Sequence, residues 1–132
     1  MRSPLFALLA FIALLVTPAV DAAAVAPPAR AEIDALLHAL EKSGCEFNRN
    51  GAWHPAADAK RHLARKLEYL EGRNAVQSAE QFIDLAGSTS STSGQAYLVK
   101  CGNAAPVESR KWLASQLSVI RAAGRAPVPG AK

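Results

Sequence analysis

The chemistry this chain could perform rests on a few residue types: three histidines, two cysteines and one run of hydroxyl side chains. A hydrolytic site would pair a loop serine with a histidine, because a serine hydroxyl is a weak nucleophile until an imidazole takes its proton. Ser88-Thr89-Ser90-Ser91-Thr92-Ser93 supplies hydroxyls, and His54 or His62 a base. No G-x-S-x-G or S-x-x-K frames these serines, and hydroxyls in such a run commonly bond their own backbone. A metal site would draw on Cys45, Cys101, His54 and His62. Zinc sites in small domains bring cysteines in close pairs, whereas Cys45 and Cys101 are far apart in sequence. His54 and His62 would lie about 12 Å apart on a helix rising 1.5 Å per residue. No metal, cofactor or catalytic set is therefore expected. Glu41, Glu46, Asp58, Glu68, Glu71 and Asp84 have ordinary helix-surface spacing, not that of a glycosidase carboxylate pair.

Binding is the better supported chemistry. In Lys60-Arg61-His62-Leu63-Ala64-Arg65-Lys66, Arg61 and Arg65 share a helical face. That face is either simply solvated or, beside Arg49, a positive patch for anionic groups. His62 borders an apolar stripe and reads as a partly buried structural residue ahead of a catalytic one. A Ser-rich turn beside the Asn50-Gly51 turn would offer backbone N–H groups, hydroxyls and Arg49 to one polar ligand. Such residues often sit on loops carried by rigid elements.

Those elements follow from periodicity. Ile33, Leu36, Leu37 and Leu40 fall at i, i+3, i+4, i+7, predicting a helix over 30–43 that stops at Gly44. Asn50-Gly51 between short aromatic segments predicts a hairpin, since both residues tolerate positive φ. Phe47 and Trp53 are its expected core anchors. Pro55 suits the first turn of a second helix, lined by Ala56, Ala59, Leu63, Leu67 and Leu70 and ended by Gly72. Ser78 and Gln81 form a capping-box pair before Ala79, Phe82, Ile83 and Ala86, with Gly87 as the stop. Ala96-Tyr97-Leu98-Val99 reads as a strand. Trp112, Leu113, Gln116, Leu117 and Ile120 line a last helix. The fold class expected is α+β, about four helices on a hairpin or three-stranded antiparallel sheet with one disulfide.

Organisation follows from composition. Arg2, the apolar run Leu5 to Val16 and small residues around Ala22 to Ala24 fit a secretory signal peptide over 1–22, cleaved at 22–24. The run meets Thr17-Pro18 after 12 residues, short of the ~20 that an uncleaved anchor needs. Residues 23–29 read as a linker, 30–124 as one globular domain and 125–132 as a disordered tail. The net charge of +4 is spread among acidic residues, which disfavours nucleic acid as partner. In an exported domain a single cysteine pair, Cys45 and Cys101, reads as a disulfide, the alternative being two buried thiols. No stable membrane insertion is expected after signal cleavage.

The segments FNRNG (47–51), HLARK (62–66), SAEQFIDLA (78–86), SSTSGQAY (90–97) and WLASQL (112–117), in that order, resemble a family of small exported bacterial proteins known only as a domain of unknown function. The resemblance spans roughly residues 33–120. It brings no activity or cofactor and singles out Arg49, Asn50, Gly51, His62, Ser90, Ser91, Ser93, Gly94 and Tyr97. SSTSGQAY is also similar to the Ser-Gly…Tyr loop of periplasmic lysozyme inhibitors. Those are β-barrels, so the likeness bears only on mode of action. The functional expectation is a periplasmic or secreted binding domain for a polar or anionic envelope component or an unknown protein. Arg49, Asn50, His62, Ser90, Ser91, Ser93 and Tyr97 are its candidate ligand-binding residues. The alternatives are an enzyme inhibitor or immunity-type protein, and a small hydrolase using His62 and a loop serine.

Overall fold

The computed structural model describes Val16 and residues 25–125. Apart from Val16, the expected signal peptide and its cleavage site lie outside the described residues, as does the expected tail beyond Arg125. Four helices and four strands follow in the order α1 (Pro27–Lys42), β1 (Glu46–Arg49), β2 (Ala52–Pro55), α2 (Ala56–Gly72), α3 (Ala79–Leu85), β3 (Leu98–Lys100), β4 (Val107–Glu108) and α4 (Ser109–Arg125). The α+β class is as expected.

α1 begins earlier than its apolar stripe suggests. Pro27 and Pro28 sit at its first positions, where a missing N–H costs nothing, and Arg30 N–H donates to Ala26 O at 2.9 Å. Val25 is buried, so part of the expected linker belongs to the fold. The helix buries Ile33, Leu36, Leu37 and Leu40. It closes where Ser43 Oγ donates to Leu40 O at 2.7 Å, and Gly44 turns away at a φ of 68°.

The hairpin forms where predicted. Asn50 and Gly51 have φ of 53° and 83°, the paired positive angles of the tight turn that matches strand twist. Arg49 pairs with Ala52 at its end. All pairings are antiparallel, in the order β2-β1-β3-β4. The fourth strand, absent from the sequence reading, adds only Val107 and Glu108 beside β3.

Register decides what is buried. Phe47 faces His54 and Val99, and Asn48 faces Trp53 and Leu98. Phe47 and Val99 point toward the helices and are buried, whereas Trp53 takes the opposite face and is 39% exposed. The expectation of Trp53 as a core anchor is thereby corrected. One residue of offset across the pleat puts it on the solvent side.

The core joins Ile33, Leu36 and Leu40 of α1, Leu63 and Leu67 of α2, Phe82 of α3, Leu113 and Leu117 of α4, and Phe47, Tyr97 and Val99 of the sheet region. Gly87 stands where a Cβ would come within 2.5 Å of Leu113 Cδ1, so close packing, not a left-handed angle, fixes glycine there. The left-handed residue after α2 is Asn74, with φ 54°, rather than Gly72. Pro55 is the N-cap of α2, one place before its expected position. Ser78 Oγ caps α3 by accepting from Gln81 N–H at 3.1 Å, while Gln81 Oε1 accepts from Gln77 N–H at 2.7 Å. Arg121 of α4 bonds Glu32 of α1 and Glu80 of α3, tying three helices on the surface.

Cys45 and Cys101 form a disulfide. It sits just outside the Glu46–Lys100 pair, clamping the start of β1 to the end of β3. No helix among the described residues is long and apolar enough to cross a membrane.

Candidate functional site

α2, the hairpin tip and the hydroxyl loop meet around Tyr97. The loop is ordered by its own groups. Ser90 N–H donates to Gln95 O and Gly94 N–H to Ser90 O, both at 2.9 Å, and Thr89 bridges Ala96. Ser88, buried, donates its hydroxyl to Ile83 O at 2.6 Å, and Ser90 Oγ lies 3.0 Å from Thr92 Oγ1. Ser93 Oγ donates to Asn50 Oδ1 at 2.5 Å. This latches the loop onto the hairpin turn.

Between these walls lies a half-open cleft of about 420 Å³. Arg49 and Asn50 line it from the hairpin, His62, Arg65, Lys66, Tyr69 and Leu70 from α2, Leu85 from the end of α3, and Ser90, Ser91, Thr92 and Tyr97 from the loop. The α2 residues His62, Arg65, Lys66 and Tyr69 fall at i, i+3, i+4 and i+7, one face of the helix. Six of the seven candidate ligand residues line the cleft, and the seventh, Ser93, holds its rim. Sequence reasoning missed Lys66, Tyr69, Leu70 and Leu85 as site residues: it places Lys66 only within the basic run and gives Leu70 to the apolar face of the helix. The 3.6-residue spacing from His62 could have found Tyr69. A second depression of about 270 Å³ shares Arg49, His62 and Arg65 and adds Phe47, His54, Asp58, Ala59 and Arg61.

A hydrogen-bonded chain runs through the cleft floor. Arg49 Nη1 lies 3.2 Å from His62 Nδ1, and His62 Nε2 lies 3.0 Å from Tyr97 Oη. Lys66 Nζ donates to Tyr97 Oη at 3.2 Å and to Thr89 O at 2.9 Å. A guanidinium only donates, so Nδ1 must accept and the imidazole proton sits on Nε2. Tyr97 Oη then accepts from both His62 and Lys66, filling its two lone pairs. Its own O–H proton is left without an acceptor among the described residues. Tyr97 is held for this role by Phe47, whose ring centroid is 5.1 Å away, and by the edge-on His62 ring at 5.9 Å.

Electrostatics agree with the proton count. Burial, then Arg49, Lys66, Arg65 and His54, push the His62 pKa down to about 4, so the ring is neutral at pH 7. Burial lowers the Lys66 ammonium, with Arg49 adding to it. Burial raises the Tyr97 phenol against the pull of Arg49. Of the other basic residues, Lys60 is paired with Glu41 at 2.8 Å, and Arg61 is paired with Asp58. The residues lining the larger cleft include no carboxylate. No cluster of three or more His, Cys, Asp or Glu able to hold a metal occurs among the described residues.

These features define a disulfide-closed α+β domain with a cationic, hydroxyl-rimmed cleft. The chain belongs to the family of unknown function DUF5329, whose profile matches residues 27–121. It is also 44% identical over 68 residues to the uncharacterized protein YfeK of Salmonella typhimurium, covering 51% of this chain and 55% of that protein. The match thus spans about half the length of that relative. No solved structure matches the chain.

Proposed function

We propose that this is an exported binding domain whose cleft receives an anionic group of a cell-envelope component or partner protein. The observation that carries the reading is the convergence of Arg49, Arg65 and Lys66 with a Tyr97 hydroxyl that accepts from His62 and Lys66 and keeps its own proton free, in a cleft lined by no carboxylate. An anion there meets donors on several sides, and partial burial strengthens each charge-assisted bond. Export is supported by the signal-like leader and by the disulfide, a bond that persists in oxidising compartments. Hydrolysis by His62 and a serine gains no support from the geometry: one ring nitrogen faces Arg49 and the other Tyr97.

The test is titration of the ¹⁵N-labelled protein with inorganic phosphate and acetate. Saturable shift changes should centre on Arg49, Asn50, Lys66 and Ser90–Thr92, and vanish in Arg49→Gln/Lys66→Met. Scattered changes, or the same response in the variant, would overturn the reading.

A further inference from the structure

Among the described residues, unexplained surface includes the Trp53 face of the sheet, the smaller depression around Arg61, and the apolar part of the cleft. In the last, exposed carbon lies beside cationic side chains with no carboxylate in the lining. Tyr69 and Leu85 are 61% and 47% exposed, two of the few large hydrophobic side chains left open to solvent. They come from different helices and line the same cleft, with Leu70 as a third apolar wall residue. The same cleft carries Arg49, the Tyr97 hydroxyl, and Lys66, which stands one helical turn from Tyr69 and Leu70 on α2.

We propose, building on the anion-binding reading above, that the ligand is an anionic amphiphile. Its carboxylate or phosphate head sits against Tyr97, Lys66 and Arg49, and its alkyl chain lies along Tyr69, Leu70 and Leu85. The head takes the unpartnered Tyr97 O–H and the remaining N–H groups of Lys66 and Arg49, each of which has more donors than the floor uses. The chain covers carbon that water now wets. At about 420 Å³ the cleft falls within the size range of small-molecule sites. A peptide terminus fits less well. Its amides would have to be desolvated beside a carbon wall, and Ser90 on the opposite rim already uses its N–H, its carbonyl and its hydroxyl within its own loop.

Calorimetry on the purified protein with hexanoate, octanoate, decanoate, decyl phosphate, decanol, inorganic phosphate and a leucine-terminated peptide acid tests this. Affinity should rise roughly two- to fourfold per methylene. Decanoate or decyl phosphate should bind at least tenfold more tightly than decanol or phosphate, and whichever is tighter identifies the head. Leu85→Ser, at an exposed position, should weaken decanoate at least fivefold and leave phosphate unchanged. A flat chain-length series, or no effect of Leu85→Ser, overturns the amphiphile while leaving the anion reading intact if phosphate still depends on Arg49 and Lys66. Tighter binding of the peptide acid than of decanoate overturns it in favour of a peptide terminus. If neither phosphate nor any acid responds to Arg49→Gln/Lys66→Met, both readings fall together.

Discussion

Acidification from pH 7 to pH 4.5 should destabilise the fold in part through His62. Burial of its imidazole, and then the positive charges of Arg49, Lys66, Arg65 and the neighbouring His54, oppose a second proton. The folded ring therefore titrates at about 4 instead of 6.5, while the unfolded chain takes up its proton near the ordinary value. Between those two pH values the unfolded state binds more protons, so stability falls as the pH falls. The contribution is fully present above about pH 6.5 and is lost progressively as the pH drops toward 4. At about 1.36 kcal/mol per pH unit the whole displacement would be worth ~3 kcal/mol. Solvent reaches much of the ring and screens the charges, which leaves about 1–2 kcal/mol.

The assay is urea unfolding of the native protein and of His62→Gln at several pH values from 7 to 4.5. Carboxylates titrate in both proteins, so the difference between them isolates His62. The native protein should lose about 1–2 kcal/mol more than the variant. Parallel pH profiles, or an NMR titration of the His62 ring with a midpoint near 6.5, would refute the burial argument.

Two further outcomes follow from packing and connectivity. Cys45→Ala/Cys101→Ala opens a loop with a sequence separation of 56 and should cost about 4 kcal/mol in the chain-entropy treatment; a urea midpoint unchanged from the native protein would contradict this. Gly87→Ala drives a methyl toward Leu113 Cδ1 in the core and should cost about 1–2 kcal/mol, lowering Tm by roughly 5–10 °C, whereas an equal or higher Tm would show that Leu113 moves aside freely.

Much of the frame was legible because it is local. The stripe of α1, the Asn50-Gly51 turn, the Ser78 cap and the pairing of Cys45 with Cys101 each rest on short-range geometry or on a tally of one residue type. β4 was not legible, because two residues ahead of a helix carry no alternation to detect. Trp53 was misjudged because its side of the sheet depends on register, which composition does not encode. Of the cleft, Arg49, His62 and the hydroxyl loop could be named separately, but their convergence needed the non-local contacts of Tyr97. Leu85 could not be found at all. It lies near the end of a seven-residue helix, and only the packing of α3 brings it to α2.

The disulfide has a mechanical consequence as well as a thermodynamic one. Every residue lining the cleft lies between Cys45 and Cys101 in the chain, inside a covalent ring, while α1 and α4 lie outside it. Tension applied to the two ends of the polypeptide runs along α1 to Cys45, crosses the sulfur bridge and leaves through α4. The cleft is bypassed by the load. Pulling can peel α1 and α4 from the core, but it cannot draw the hairpin, α2 and the hydroxyl loop out into an extended line until that bond is cut.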